Sequence, residues 1–204
     1  MKNIYMTVIP LQGNRDLQKV QYQADASCDI PCNLETRFPI IPVMLATADP
    51  EVENKVIAVR FQNSDTERNL NYLKEELEEN HLDAEITVID LEENQRYATG
   101  VNMLLQILDA VENDSDVYAC ITYGTKMMTM LLTYVLNTLE FTRKNTKAKG
   151  IYYGEIQRSD RETVTAKLYN FTAFLKMDEL IRQIYEIHPE DPEGFLRKLI
   201  APVE

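Results

Sequence analysis

The amino-acid sequence predicts an α/β fold, namely a Rossmann-like, mostly parallel sheet that is flanked by helices and has an antiparallel hairpin at one edge. From residue 3 to about residue 143, short apolar segments alternate with helix-like segments, which is typical of parallel sheets. Two later strand-like segments, Lys149–Gln157 and Thr163–Phe171, are separated only by RSDRE, and this spacing predicts the hairpin. The 204 residues are enough for one main domain.

The chain begins with a short apolar strand and a less regular segment. Asn3–Pro10 is the first predicted strand, and Gly13 with Asn14 marks the turn that follows it. Residues 19–36 show no pattern that assigns them to a helix or a strand. Arg37–Thr47 favours a short helix, because proline is tolerated in the first turn of a helix.

In the middle of the chain, predicted strands alternate with predicted helices. Val56–Phe61 is the second predicted strand, and Ser64 with Glu67 forms a capping box that opens the next helix. Ala84–Leu91 is the third strand, and Gln95–Val111 is the helix after it. The apolar residues that recur at helical spacing in the first of these two helices are Leu70, Leu73 and Leu77.

The second half of the chain continues the alternation of strands and helices to about Arg143, and the hairpin follows. Asp116–Tyr123 is the fourth predicted strand, and Thr125 opens a helix that runs to about Arg143. This helix is apolar around most of its N-terminal half and rich in Met and Tyr, so we expect a subunit interface and a homodimer. After the hairpin, Thr172 is expected to cap a helix that ends near His188.

Composition excludes several classes of function. The net charge of −12 opposes attraction to duplex nucleic acid and to anionic membranes, although a local cationic pocket remains compatible with it. Three cysteines and two histidines offer no second ligand pair for Cys28 and Cys32, so we expect no metal. We expect a cytoplasmic protein, because no apolar run is long enough to span a bilayer and the chain starts with a strand.

Two polar segments are expected to meet in the ligand crevice. In doubly wound sheets this crevice lies at the carboxyl ends of the strands where the strand order reverses, here between the first and fourth strands. The loop after the first strand contains Leu11, Gln12, Gly13, Asn14 and Arg15. The turn after the fourth strand contains Tyr123, Gly124, Thr125, Lys126 and Met127.

The turn after the fourth strand is chemically suited to an anion. A glycine permits a tight turn, the first amides of the following helix carry the positive end of its dipole, and Lys126 adds a charge. The patterns GxxxxGK[ST], GxGxxG and GxSxG do not occur, which disfavours a P-loop, a dinucleotide cofactor and a hydrolase triad. The same residues also suit a purely structural corner, in which Gly124 serves the turn and Thr125 caps the helix.

The order of several segments resembles the CARF domains, the CRISPR-associated Rossmann-fold sensors. The segments that carry the resemblance are the polar Gly loop after the first strand, DVYACITYGTKMMTMLLTYVL, KGIYYGEIQ and TVTAKLYNFTAFLKMDELI. The resemblance implies a homodimer that pairs through the helix after the fourth strand and binds a cyclic oligoadenylate of four or six units, a second messenger of type III CRISPR defence. Many relatives have Thr-His-Gly and an Arg where this chain has Thr122, Tyr123, Gly124 and Lys126.

The resemblance also suggests the organisation of the chain. Residues 1–188 would form the sensing domain, and residues 189–204 would form a linker or the start of an effector region that is fused downstream. The two polar segments would bind the ligand, with no cofactor and no catalytic residue. Some CARF proteins slowly cleave their ring, and Thr125 with Lys126 could orient such a reaction.

Two alternatives remain open from the sequence. One is a Rossmann-type enzyme that binds a mononucleotide or a sugar phosphate at the same turn, for which Asp90 and Glu92 are the strand-end acid or base candidates. The other is a dimerisation module without a ligand.

Overall fold

The computed structural model describes residues 1–12, 17–158 and 164–200, with the side chains of Arg158 and Val164 excepted. The strands of this part of the chain are β1 (Lys2–Val8), β2 (Val20–Ala24), β3 (Glu35–Thr36), β4 (Glu53–Phe61), β5 (Glu85–Leu91), β6 (Ser115–Cys120), β7 (Lys147–Arg158) and β8 (Val164–Asn170). They form one sheet in the order β3-β2-β8-β7-β6-β1-β4-β5. The predicted α/β, Rossmann-like fold is confirmed, because β5, β4, β1, β6 and β7 are parallel neighbours and β8 is antiparallel to β7.

The helices are α1 (Ile40–Thr47), α2 (Ser64–Glu79), α3 (Tyr97–Ala110), α4 (Lys126–Thr142), α5 (Thr172–Ile187) and α6 (Pro192–Ile200). Helices α1 and α2 cover one face of the sheet, where Ile41, Met44 and Leu73 share a core with Tyr5. Helices α3, α4 and the start of α5 cover the other face. Both faces of the central strands are therefore buried, which explains why the sequences of these strands are continuous apolar runs. None of the described helices is long and apolar enough to cross a bilayer.

The predicted hairpin forms, but it does not lie at the edge of the sheet. Strand β2 pairs in parallel with β8, and β3 pairs antiparallel with β2, so both extend the sheet beyond the hairpin. These two strands come from residues 19–36, to which the sequence assigned no element. They were missed because β3 has only two residues and β2 is VQYQA, in which Tyr22 alone is buried.

Two of the predicted side-chain caps, Ser64 and Thr172, do not cap their helices. The α2 cap is Asn63, whose side chain accepts a hydrogen bond from the Thr66 amide at 3.0 Å, so Ser64 is already helical. Asn170 rather than Thr172 accepts the amide hydrogen bond at the start of α5, at 2.9 Å. The Thr172 hydroxyl instead accepts a hydrogen bond from the Ile151 amide, because β7 approaches this end of α5.

Helix α2 is less uniformly exposed than its acidic sequence suggests. We expected the segment from Asp65 to Asn80 to be a solvated face, and most of its acids are exposed or half-buried. Glu76 is the exception, since only 1% of it is exposed. It lies on the inner side of the helix beside Leu73 and Leu77, where its charge is neutralised by Arg37 at 3.0 Å.

Candidate anion-binding site

The crevice lies where the sequence predicted the strand order to reverse. Strand β1 lies between β4 and β6, and the chain that passes through β4 and β5 on one side of β1 returns to β6 on its other side. The turn after β6 touches the end of β1 directly, because a Cβ on Gly124 would lie 2.6 Å from Cγ1 of Val8. Gly124 also has a φ of +96°, so both the backbone conformation and the packing require glycine here.

The turn after β6 is held on two further sides. The Gly154 amide of β7 donates a hydrogen bond to Oγ1 of Thr122 at 2.7 Å. The Tyr123 hydroxyl donates to the carbonyl oxygen of Arg37 at 2.6 Å, and its ring meets the edge of Phe38. Burial raises the pKa of Tyr123 well above its ordinary value, so this hydroxyl remains a donor. Tyr123, which we predicted to contact a ligand, therefore points inward and positions the turn.

The start of α4 keeps its capacity to bind an anion. Thr125 is the N-cap of α4, as we predicted for a turn that serves only as a structural corner. Its hydroxyl oxygen accepts a hydrogen bond from the Met128 amide at 3.4 Å. The amides of Lys126 and Met127 donate to no acceptor among the described residues, and the first turn contains no acid. The Lys126 side chain is exposed and forms no ion pair within residues 1–12, 17–158 and 164–200. These groups can bind a phosphate.

A second helix starts beside α4, which the sequence did not reveal. A Cβ on Gly100 in α3 would lie 3.1 Å from Leu131 and 3.5 Å from the sulfur of Met127, so the first turns of α3 and α4 are in contact. No side chain caps α3, its first turn has no acid, and exposed Arg96 precedes it. Gly100 within an apolar helical pattern was the one sequence signal of this close approach.

The loop after β1 is described only in part. Leu11 and Gln12 are exposed, and the carbonyl oxygens of Pro10 and Gln12 accept hydrogen bonds from the Asn69 side-chain amide at 2.9 and 3.4 Å. Buried Asn69 thereby fixes the start of this loop on α2. Gly13, Asn14 and Arg15, which we also predicted to contact a ligand, lie outside the described residues.

Asp90 and Glu92, the candidate acid or base if the chain were an enzyme, lie away from the turn after β6. Strands β1 and β4 separate β6 from β5, so three strand spacings put the end of β5 about 14 Å from the end of β6. Asp90 is paired with Arg60 at 2.6 Å, and Glu92 accepts a hydrogen bond from Asn94 at 3.1 Å. Neither carboxylate is positioned to exchange a proton with a ligand at Lys126.

A cleft of about 720 Å³ lies at the opposite, amino-terminal edge of the sheet. Its two lysines are already paired with carboxylates, since Lys2 contacts Glu53 at 3.0 Å and Glu112 at 2.5 Å, and Lys55 lies 3.8 Å from Glu85. An anion there would have to displace these carboxylates. In the part of the chain that the structure describes, no three His, Cys, Asp or Glu side chains converge to hold a metal ion.

Comparison with models of known protein families and with curated protein sequences finds no match to this chain. The geometry at the start of α4 therefore provides the basis for a functional interpretation.

Proposed function

We propose that this chain is a homodimeric sensor of a cyclic oligoadenylate of four or six units, which acts in the cytoplasm in type III CRISPR defence and regulates an attached or associated effector. One observation carries the proposal. Among the described residues, the start of α4 offers two main-chain amides without an acceptor and Lys126 without an ion pair, beside the end of β1 and on a chain whose net charge is −12. The resemblance to CARF domains suggests the ring, and the geometry supports a phosphate ligand.

The outer face of α4 supports the dimer. Met130, Tyr134 and Phe141 are exposed along this helix, at spacings that place them on one side. Large apolar side chains on one helix face favour association, and Met and Tyr are enriched at interfaces. A two-fold axis along this face would present two α4 starts and two copies of Lys126 to one ring, so each phosphate contact would be made twice.

The adenines would bind at the edges of the same crevice. The exposed side-chain amide of Gln12 can pair with an adenine edge, and Asn14 was predicted to do the same. At the other end of the chain, residues 192–200 of the predicted connecting segment form α6, which contacts α5. Its connection to an effector stays a prediction.

Calorimetry on the purified chain tests this function. We expect cyclic tetraadenylate or hexaadenylate to bind at one ring per dimer, and AMP and NAD to bind weakly. Lys126→Ala should reduce ring affinity at least about tenfold, whereas Lys147→Ala, an exposed lysine at the opposite edge, should leave it unchanged. Tight binding of AMP alone would favour the enzyme alternative, and no binding of any of these compounds would favour a dimerisation module.

The dimer is tested separately by light scattering after size-exclusion chromatography. Tyr134→Glu places a charge on the proposed interface and should give a monomer that keeps the circular dichroism spectrum of the wild type. Tyr185→Glu changes an equally exposed tyrosine on α5 and should remain dimeric. A wild-type monomer at micromolar concentration would contradict the proposed assembly.

A further inference from the structure

Arg37 lies in the short connection between β3 and α1 and contacts two other parts of the fold through one side chain. Its Nε donates a hydrogen bond to the carbonyl oxygen of Leu17 at 2.7 Å. Its Nη1 donates to Oε1 of Glu76 at 3.0 Å, and the guanidinium lies over the ring of Tyr72, 4.4 Å from the ring centre. A planar guanidinium can make these contacts at once, which a point-like ammonium cannot.

Glu76 holds the main chain around Arg37 as well as its side chain. The buried carboxylate accepts hydrogen bonds from the Arg37 amide at 3.1 Å and from the Thr36 hydroxyl. An ionised carboxylate that is removed from water needs such partners. The backbone at Thr36 and Arg37 is therefore fixed on α2.

The main chain of Arg37 also fixes the turn that follows β6. Its carbonyl oxygen is the acceptor for the Tyr123 hydroxyl at 2.6 Å, and Tyr123 immediately precedes Gly124. The side chain of Arg37 holds Leu17, the first described residue after residues 13–16. One residue thus contacts both Leu17 and the turn that touches the end of β1.

We propose that Arg37 is a positioning residue that couples Leu17 to the turn after β6. The inference rests on the proposed function in one respect, because this turn is a proposed binding surface. The coupling keeps the turn in place before a ligand arrives, so less ordering is required on binding. It is reciprocal, since loosening Leu17 loosens the turn, and loosening the turn loosens Leu17.

The test is amide hydrogen exchange of the full chain, with and without Arg37→Lys. This substitution keeps a charge for Glu76 but loses the hydrogen bond to Leu17. We expect the amides of residues 20–22, in the strand that follows Leu17, to exchange about three to ten times faster, and the Met128 and Thr129 amides, which donate hydrogen bonds to Thr125, to accelerate in the same variant. Affinity for the ring that the wild type binds should fall by a similar factor.

Arg143→Lys is the matched control. Arg143 also donates to main-chain carbonyl oxygens, of Val111 at 2.9 Å and of Leu108 at 2.5 Å, but it lies at the opposite edge of the sheet. A urea titration should show comparable losses of stability in the two variants, while only Arg37→Lys changes exchange at the crevice and ring affinity. Equal effects of both variants on exchange of the Met128 and Thr129 amides would overturn the proposal.

Tyr123→Phe tests the coupling from the other side. It removes only the hydroxyl that reaches Arg37, and it should accelerate exchange at residues 20–22 as well as at Met128 and Thr129. Exchange at residues 20–22 that stays at the wild-type rate would overturn the coupling. If the wild type binds neither ring, the proposed function fails, and the exchange measurements still decide whether Arg37 couples Leu17 to the turn.

Discussion

Helices α2 and α4 both start at the carboxyl edge of the sheet, on either side of the end of β1, yet their first turns differ in charge. Asn63 caps α2, and Asp65 and Glu67 lie in its first turn. Thr125 caps α4, whose first turn contains Lys126 and no acid. The positive end of the α2 dipole is already neutralised by its own side chains, whereas that of α4 is not.

The neighbours of these two helices increase the difference. Glu67 of α2 contacts Arg60, and Asn63 donates a hydrogen bond to Glu93 at 3.1 Å, so this side of the crevice contains mostly paired charges. Beside α4 lies the start of α3, which has Arg96 before it and no acid in its first turn. An anion in this crevice is therefore directed to the α4 side by local charge, although the chain as a whole is acidic.

The largest effect is expected from changing the turn that precedes α4. Gly124→Ala places a Cβ 2.6 Å from Val8 on a backbone with a φ of +96°, and this should lower the free energy of unfolding by about 2 to 3 kcal/mol. A urea titration measures the loss. The double variant with Val8→Ala should lose less than the sum of the two single variants, because the clash is then removed. Wild-type stability of Gly124→Ala would contradict the described turn.

The next effect comes from giving α4 the charge pattern of α2. Lys126→Glu replaces the free cation with an acid in the first turn and should weaken ring binding by more than Lys126→Ala does, and so by over about 1.4 kcal/mol. Calorimetry at fixed ionic strength measures the change. Lys147→Glu alters the net charge equally at the other edge, so a matching loss in that control would mean that Lys126 does not contact the ring.

The two caps should differ in what they affect. Asn63→Ala removes the acceptor for the Thr66 amide and should cost about 1 kcal/mol of stability with ring affinity unchanged. Thr125→Ala should cost a similar amount of stability, and it should also reduce ring affinity because it disturbs the start of α4. Thermal unfolding and calorimetry on the same samples separate these effects. A loss of ring affinity in Asn63→Ala would place the ligand on the α2 side.

The smallest effect is expected from removing one acid at the start of α2. Asp65→Asn should lower the free energy of unfolding by a few tenths of a kcal/mol, because a half-buried surface charge interacts weakly both with the helix dipole and with Arg68, 3.2 Å away. The effect should disappear in 1 M salt, where these charges are screened. A loss that persists at high salt would show that Asp65 stabilises the fold through more than these charge interactions.

The parts of the fold that could be predicted are those whose pattern is local. Val56–Phe61 is recognisable because burial on both faces makes most of a strand apolar. Ala84–Leu91, at the edge of the sheet, is recognisable from its β-branched residues. Strand β2 could not be found in this way, since only Tyr22 of its residues is buried. The α2 cap was misplaced because Asn63 and Ser64 are adjacent and both suit the position, and only the backbone distinguishes them.

The candidate site was predictable to the same extent. Gly124, Thr125 and Lys126 lie on one continuous strand, turn and helix, so their local geometry followed from the sequence. The inward direction of Tyr123 and the burial of Glu76 depend on Arg37, which is distant along the chain from both. The proximity of the starts of α3 and α4 likewise depends on the contact at Gly100. Such tertiary contacts leave little trace in a single sequence.

The missing side chain at Gly100 has a mechanical consequence. Because the backbone of α3 lies directly against Met127 and Leu131, no compressible layer of side chains separates the two helices there. A tilt of α4 about its first turn therefore moves α3 as well, so the two helices move as one rigid unit rather than independently.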